Sequence, residues 1–487
     1  MNEDQPTEYQ YRTERFPLAV PIITDELGAD GLPTVEALKA DYDMYVARIQ
    51  RFEWLERYYM GQNAPIYNYD VSPMSNYCEY FADFLTNYMT GIAPSYSFED
   101  GDKYAKEIIG LYAEQNMEQQ EASLILDMAM FGRAFQLVYE NMENEPRAVT
   151  CSPLSSYVTY NDQIDRDSVY GALVREEKDK NGVITSIVDV YTAYMHVQYV
   201  VTGKNENWAI SEKPMPHRFN RVPLIEYVRG KYGKGHFEGI ISLQDAFNAL
   251  QEDRVEDKHR FALALLLIKG AILSTEQDEQ KAKLRKHKKI GLLQIDENAE
   301  ASYLTRIFDE TSVQVLQDNL SREMHKLAKI PDLSDEKFAG NSSGVAMQYK
   351  LLGTESLAGE FAIAMAKGFS RRCKLYDEAI YNSTAAPTYK IQANVSNMEI
   401  NFKYNVPIDV VNEINALKAA TEAGIMSQQT ALDNFSMIKD TEEELKRLEE
   451  EATKSAERQR DIWSGDEFNP QPQDAGQQLD DSGNPLP

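Results

Sequence analysis

The chain has 487 residues, 43% of them apolar and 26% charged, which excludes both a single compact core and an intrinsically disordered chain. Its formal charge of −28 excludes a protein that grips nucleic acid over its general surface, because such binding is driven by clustered Lys and Arg. The longest apolar run, Phe261 to Ile268, falls far short of the roughly 20 residues of a membrane-spanning helix. The start, Met1 to Gln10, is acidic and polar and lacks a signal peptide's basic and apolar regions, so a cytoplasmic protein with no membrane partner is expected. Cys78, Cys151 and Cys373 are too scattered for a disulfide framework or a metal site and read as reduced core thiols.

From Thr34 a helical pattern runs through Val35, Leu38, Tyr42, Val46, Ile49 and Phe52, with Thr34 as N-cap and Gly61 just past the end. A second carries Tyr77, Phe81, Phe84 and Tyr88 and stops at Gly91. Tyr104 to Asn116 and Glu118 to Phe131 read as two more. After Gly132 come short β-rich stretches, Phe135 to Glu140, Tyr157 to Tyr160, Val169 to Glu176, Ile184 to Tyr191 and His196 to Val201. Turns such as Asn181-Gly182 separate them, which predicts one antiparallel meander.

A strand at Val222 to Val228 leads to helices that return between Phe237 and Gln251. A loop-like region at about Leu273 to Asp309 interrupts them, and Val313, Leu316, Leu320, Met324 and Leu327 then share one face. Ile330-Pro331-Asp332 breaks that helix, and Gly340-Asn341-Ser342-Ser343-Gly344 supplies flexibility and N-caps for the next. Its stripe is Leu357, Phe361, Met365, Phe369, Cys373, Tyr376 and Ile380. Met398, Ile400, Phe402 and Tyr404 alternate as a strand would. Further helices begin near Val410, Ser427 and Thr441, the last preceded by the cap-like pair Asp440 and Glu443. Beyond Arg460 there is no Lys or Arg, and the acid-, Pro- and Gln-rich remainder predicts a disordered tail.

Catalytic motifs are largely absent. Gly230-Lys231-Tyr232-Gly233-Lys234-Gly235-His236 sits between strand and helix as a phosphate loop would. However, His236 and Phe237 stand where a P-loop needs Lys and Ser or Thr, and Glu238 replaces the third Gly of a dinucleotide loop. A flexible linker is the better reading. The six histidines, His196, His217, His236, His259, His287 and His325, lack metal spacing and are expected at the surface or in turns. Neither cofactor nor metal is expected. The carboxylates of Glu442 to Glu451 interleave with Lys446 and Arg447 as on a solvated helix. One local charge reversal stands out: Lys281, Lys283, Arg285, Lys286, Lys288 and Lys289, six basic residues in nine. It reads as a solvated loop or as a docking or phosphate-contact surface. Two other readings are an acidic helical scaffold and, further off, a metal-dependent nucleic-acid enzyme.

Several local sequences resemble the portal, or head-to-tail connector, proteins of long-tailed double-stranded DNA phages, over roughly Val35 to Glu450. They are Tyr58 to Ile66, Phe131 to Tyr139, Val222-Pro223-Leu224-Ile225-Glu226 followed by Leu243-Gln244-Asp245-Ala246-Phe247-Asn248, and, most specifically, Pro331 to Ala346. Gln244 and Phe247 depart from the family's usual apolar and Tyr choices. The resemblance implies a mainly helical α+β fold with wing, stem, clip and crown regions, assembled as a ring, usually of twelve subunits, around an axial channel. It implies no enzymatic activity. By position it implies an N-terminal extension over 1–33, a wing over 34–235, stem helices over 236–263 and 310–330, and a clip over 264–309. A channel loop would follow over 331–343, a long helix and returning wing strand over 344–404, a crown over 405–460 and the tail over 461–487.

The site residues implied are Asp332, Asp335, Glu336, Lys337, Phe338, Asn341 and Ser342 in the channel loop, and the six basic residues from Lys281 to Lys289 as clip partner contacts. Asp245, Asn248, Asp253, Arg254 and Lys258 fall on the stem. A stem helix of about 26 residues would span roughly 39 Å. Gly340 and its short polar neighbours predict a loop that changes conformation. The implied partners are double-stranded DNA in transit, the terminase large subunit, a head-completion or adaptor protein, and the major capsid and scaffolding proteins, with the protein residing in the virion.

Overall fold

The computed structural model describes residues 21–24, 27–28, 30–62, 72–98, 103–178, 184–202, 205, 207–262, 265–269, 300–304, 310–333, 344–381, 398–404, 410–435, 438 and 441–463. It divides into two units, Met1–Asn405 and Val406–Pro487.

The first unit opens with helices α1 (Val35–Tyr59), α2 (Tyr77–Thr90), α3 (Lys103–Glu114) and α4 (Met117–Phe131). Each boundary has a local cause. The Thr34 hydroxyl accepts from the Ala37 amide at 3.2 Å and caps α1, a contact worth about 1 kcal/mol. Gly61, at φ 63°, ends the same helix, with the Gln62 amide reaching back to the Arg57 carbonyl at 2.8 Å. The Asn76 side chain caps α2 at the Glu79 amide.

The strands from Arg133 to Val228 fall into two sheets where the sequence predicts one meander. The larger holds β1 (Ile22–Ile23), β5 (Ser156–Tyr160), β6 (Ser168–Lys178), β7 (Ile184–Tyr191), β8 (Met195–Thr202) and β10 (Met215–Pro216) in that order, with β9 (Asn207–Ile210) also on β8. Its meander, β5 to β8, falls where the alternation places it. The smaller has the order β11 (Leu224–Val228), β3 (Arg133–Glu140), β4 (Pro146–Cys151). The first expected meander strand therefore belongs to the other sheet. Its first six residues are all buried, which erases the period-2 signal that would have shown its faces.

α1 covers the large sheet. Leu38 and Tyr45 pack on Tyr157, Tyr170, Val188, Val190, Val197 and Tyr199. Tyr170 donates to Asp41 at 2.6 Å, so the one buried acid of that helix face is satisfied. A second cluster, Phe135, Leu137, Val158, Val222 and Leu224, lies between the sheets.

Helices α5 (Ile241–Ala262) and α6 (Glu310–Ala328) pair with each other and are joined by the antiparallel ribbon β12 (Leu265–Lys269) and β13 (Glu300–Leu304). The first strand of this ribbon precedes the loop-like region predicted from about Leu273 to Asp309, and the second lies within it. Long helix α7 (Gly344–Tyr381) follows, 38 residues and roughly 57 Å. Six of the seven apolar residues in its predicted stripe are buried, and the last, Ile380, is half-buried. The returning strand, predicted over Met398 to Tyr404, is limited to β14 (Glu399–Asn401) on β2 (Ser95–Ser97). The second unit contains α8 (Val410–Glu422), α9 (Gln428–Asn434) and α10 (Thr441–Trp463), near the three expected starts. Helix α10 runs three residues into the tail expected over 461–487; Asp440 and the tail from 464 onward lie outside the described residues.

Candidate functional site

The segment from Phe237 to Gly353 is built from its ends inward. At its entry the glycine-rich stretch is a packed corner, where the sequence predicts a flexible linker. Gly132 ends α4 at φ 74°, and a Cβ there would lie 2.3 Å from the Gly233 backbone. The Arg229 amide donates to the Gly132 carbonyl at 3.0 Å, and the His236 amide to the Ala129 carbonyl at 2.6 Å. Arg51 of α1 pairs with Glu238 just beyond. Nearby, Glu226 of β11 is fully enclosed. Burial alone would raise its carboxyl pKa, but Arg133 and Arg48 outweigh that and hold it below the ordinary carboxylate range, with Tyr160 donating at 2.5 Å.

His236, expected at the surface or in a turn, sits in the turn between β11 and α5 and is buried there, because its backbone closes the α4 terminus. Burial, then Arg229 and Lys329, push its imidazole down to about 3. As pH falls below the unfolded value near 6.5, the unfolded chain therefore takes up a proton that the folded chain refuses. The site costs up to about 1.4 kcal/mol per pH unit from there toward pH 3. Asp127 acts oppositely: burial, then Glu56, raises it to about 7, so the folded state takes a proton first. Subtracting the pH profile of His236→Gln from that of the wild type isolates the histidine. The variant is expected to lose less stability between about pH 6.5 and 5, measured by urea midpoints.

α5 carries a buried polar stripe. Gln244 accepts from the Cys78 amide at 3.0 Å, and Asp245 accepts from the Tyr58 hydroxyl at 3.1 and 3.2 Å. Asn248 accepts from the Ser75 amide at 2.9 Å and donates back to the Ser75 carbonyl. Asp245 thus anchors α5 to α1, and Asn248 anchors it to the segment just before α2. Further along, the same helix turns to its partner: Arg254 bonds Gln317, and Lys258 pairs with Glu310. Asp253 is half-buried beside them.

On α6 the predicted apolar face is split. Val313 and Leu320 are half-buried and Met324 is buried, but Leu316 and Leu327 are 47% and 51% exposed, as is Val315 at 54%. The buried line runs 313, 317, 320, 324, 328, and polar Gln317 belongs to it because it receives Arg254. The helix stops in a Schellman turn. Lys329 has φ 55°, its amide reaches the Lys326 carbonyl, and the Ile330 amide reaches the His325 carbonyl at 3.1 Å. His325, also expected at the surface or in a turn, lies in the last turn of α6 and is buried against Phe81, Tyr77 and Tyr80, with Nδ1 3.1 Å from the Ile330 carbonyl. Thr354 of α7 donates to the Lys329 carbonyl at 2.7 Å, tying the long helix to this exit.

Between the end of α6 and the start of α7 lies a groove of about 1010 Å³ lined by Asp318, Arg322, Lys326, Lys329, Asp332 and Lys350. Asp332 is the one predicted channel-loop residue described. Asp335, Glu336, Lys337, Phe338, Asn341 and Ser342, and the basic set Lys281, Lys283, Arg285, Lys286, Lys288 and Lys289, lie outside the described residues. Among the described residues no three His, Cys, Asp or Glu side chains gather as metal ligands.

Residues 38–458 match the family of phage portal proteins of the SPP1 Gp6-like type. The chain belongs to this family. A relative of this portal protein, the portal protein of Bacillus phage SPP1, is 22% identical over 396 residues, 78% of this chain and 76% of the relative. Two solved structures also match: the virion of a native gene transfer agent particle, and the neck of an empty one. Both are 12% identical and cover 78% of this chain and 91% of theirs, with TM-scores of 0.45 and 0.46. The portal family is a structural one.

Nothing in the sequence hints at the ion pair that anchors the long helix of this portal protein. Arg372 lies inside the apolar stripe of α7, buried, with Nη2 2.7 Å from Glu121 and its guanidinium 4.7 Å from the Tyr112 ring. Two adjacent arginines, Arg371 and Arg372, stand between Phe369 and Cys373, and in the sequence they read as the polar edge of the helix.

Proposed function

We propose that this portal protein assembles as a ring of twelve copies around an axial channel at one capsid vertex. Double-stranded DNA passes through that channel during packaging, is retained by it and leaves through it at ejection. The observation that carries the reading is family membership over 38–458 together with apolar side chains left in solvent on α6 and α7. On α7, Leu352 is 59% and Ile363 74% exposed, and Tyr349 shares their face. A single chain has no use for such a stripe, whereas a second copy can cover it.

In this reading residues 34–235 form the wing, α5 and α6 the stem, 264–309 the clip, 331–343 the channel loop, 344–404 the long helix and returning wing strand, and 405–460 the crown. The stem helices are 22 and 19 residues, so the wall they make is roughly 30 Å long, somewhat shorter than the sequence implies. Each copy adds a charge of −28, so DNA meets few phosphate partners and slides. The basic clip residues face proteins or briefly touch phosphates. The terminase large subunit, a head-completion or adaptor protein, and the capsid and scaffolding proteins dock on the outer regions, and the energy for packaging comes from a separate motor.

The test is assembly. Leu352→Glu with Ile363→Glu is expected to shift the chain from large oligomers to monomers in sedimentation velocity, with the secondary structure unchanged. Retention of wild-type oligomers by this variant would remove these residues from the interface.

A further inference from the structure

We propose that each copy lays the outer face of its α7 on the outer face of α1 in the neighbouring copy; this rests on the ring reading above. A ring needs two different faces that fit each other, because a self-complementary face stops at a dimer. The first unit holds such a pair on opposite sides. Leu38 and Tyr45 of α1 cover one face of the large sheet, whose other face packs through Val158, Leu173 and Tyr191 on Phe135 and Leu137 of the small sheet. The far face of the small sheet carries α7, with Gly368 against the Tyr227 ring and Arg372 bonded to Gln136. The layers therefore run α1, large sheet, small sheet, α7, and each outer helix keeps a solvent face.

The two faces differ as such a contact requires. At about 100° per residue, Tyr349, Leu352, Ser356, Ile363, Lys367 and Lys374 fall within roughly 60° of arc on α7, and all six are exposed. On α1 a similar arc holds Glu36, Ala40, Asp43, Ala47, Gln50 and the half-buried Trp54, with exposed Met44 and Val46 on its flanks. The α7 face presents large apolar side chains. The α1 face offers small ones, Ala40 and Ala47, between which they fit.

Charge completes the match. Lys367 and Lys374 make no ion pair among the described residues, and Glu360 beside them is paired with Arg229 and Lys329. Glu36 and Asp43 meet no cation among the described residues, and Asp43 accepts from the neutral Asn205 amide at 2.8 Å. Lys39, half-buried at the edge of the α1 arc, leaves the sign of its first half negative, and Glu53 and Arg57 at the far end cancel. Both the lysines and the acids are spaced seven residues apart, roughly 10 Å along the helix. An antiparallel crossing therefore brings both lysines to both acids at once and sets Ile363 over Ala47. Between copies that each carry −28, such local attraction favours this contact over others.

The first test is zero-length carbodiimide coupling of wild-type rings of the full-length chain, read by peptide mass spectrometry. Links from Lys367 or Lys374 to Glu36 or Asp43 are expected. Rings that couple elsewhere and give none of these links overturn the proposal. Charge reversal then tests the pairing in solution. Lys367→Glu with Lys374→Glu, and separately Glu36→Lys with Asp43→Lys, should each lower the ring fraction in sedimentation velocity about tenfold or more at low salt. An equimolar mixture of the two variants should form rings again, because alternating copies then join opposite signs at every contact. Lys213→Glu with Lys231→Glu, the same charge change at exposed sites elsewhere, should leave rings intact. Rings that persist in both reversed variants overturn the proposal and assign the two faces to other proteins. So does a mixture that stays dispersed while both variants keep the wild-type circular dichroism. A wild type that forms no rings overturns the ring reading and this contact with it, whereas rings lacking these links overturn the contact alone.

Discussion

Replacing Arg372 with alanine is expected to destabilise the portal subunit by about 3–5 kcal/mol, because it strands a buried carboxylate. Glu121 is fully buried on α4 and meets Arg372 at 2.7 Å and the Tyr96 hydroxyl at 2.9 Å. The guanidinium also donates to Gln136 of β3 at 3.2 Å and lies against the Tyr112 and Phe369 rings at 4.7 and 5.3 Å. One side chain therefore ties α7 to α3, α4 and the small sheet. Removing both charges together, by Arg372→Met with Glu121→Leu, should recover much of the loss, since a buried pair is often replaceable by apolar groups of similar volume. Urea unfolding checks both results; a loss under about 1 kcal/mol for the alanine variant would mean the pair contributes little.

Gly368→Ala is expected to cost about 3 kcal/mol or more. A Cβ at this position would lie 1.9 Å from Cε1 of Tyr227, so the whole ring must move. The ring has little freedom: Tyr227 is buried, and its hydroxyl donates to the Gln136 oxygen at 2.8 Å, the same atom that receives Arg372. Overpacking at Gly368 therefore also breaks a buried hydrogen bond. The two substitutions share a partner, so their effects should not add in a double-mutant cycle. Tyr227→Leu, which clears the space, should make Gly368→Ala much milder; equal costs in both backgrounds would disprove the clash.

What the sequence revealed about this fold follows from which signals are local. Thr34, Gly61, Gly91 and Gly132 mark helix ends through their own backbone or side-chain chemistry, and the observed helices begin or end beside them. In the meander β8 shows its alternation most clearly, because Val197, Tyr199 and Val201 face the core under α1 while the residues between them are only half-buried. Partner choice for β3 was hidden, since its pairing with β11 joins residues about 90 positions apart and its faces are both covered. The glycine-rich corner misled for a related reason. Gly233 and Gly235 read as freedom in isolation, yet they serve close approach to α4, which only the tertiary structure provides.

The candidate channel segment was legible as a helix, an insertion, a second helix and a break. Its inner chemistry was not. Gln244, Asp245, Asn248 and Gln317 look like solvent-facing helix positions in sequence, and each is buried because a specific partner, from Cys78 to Arg254, comes from elsewhere in the chain. The exposed residues on α6 and α7 make the complementary case: a full apolar arc predicts a buried helix, and here the isolated subunit covers only part of it.

The most direct measurement is negative-stain electron microscopy of the purified full-length chain. Rings with a central stain-filled hole and twelvefold class averages are the expected result. Discrete single subunits at every concentration tested would contradict the ring.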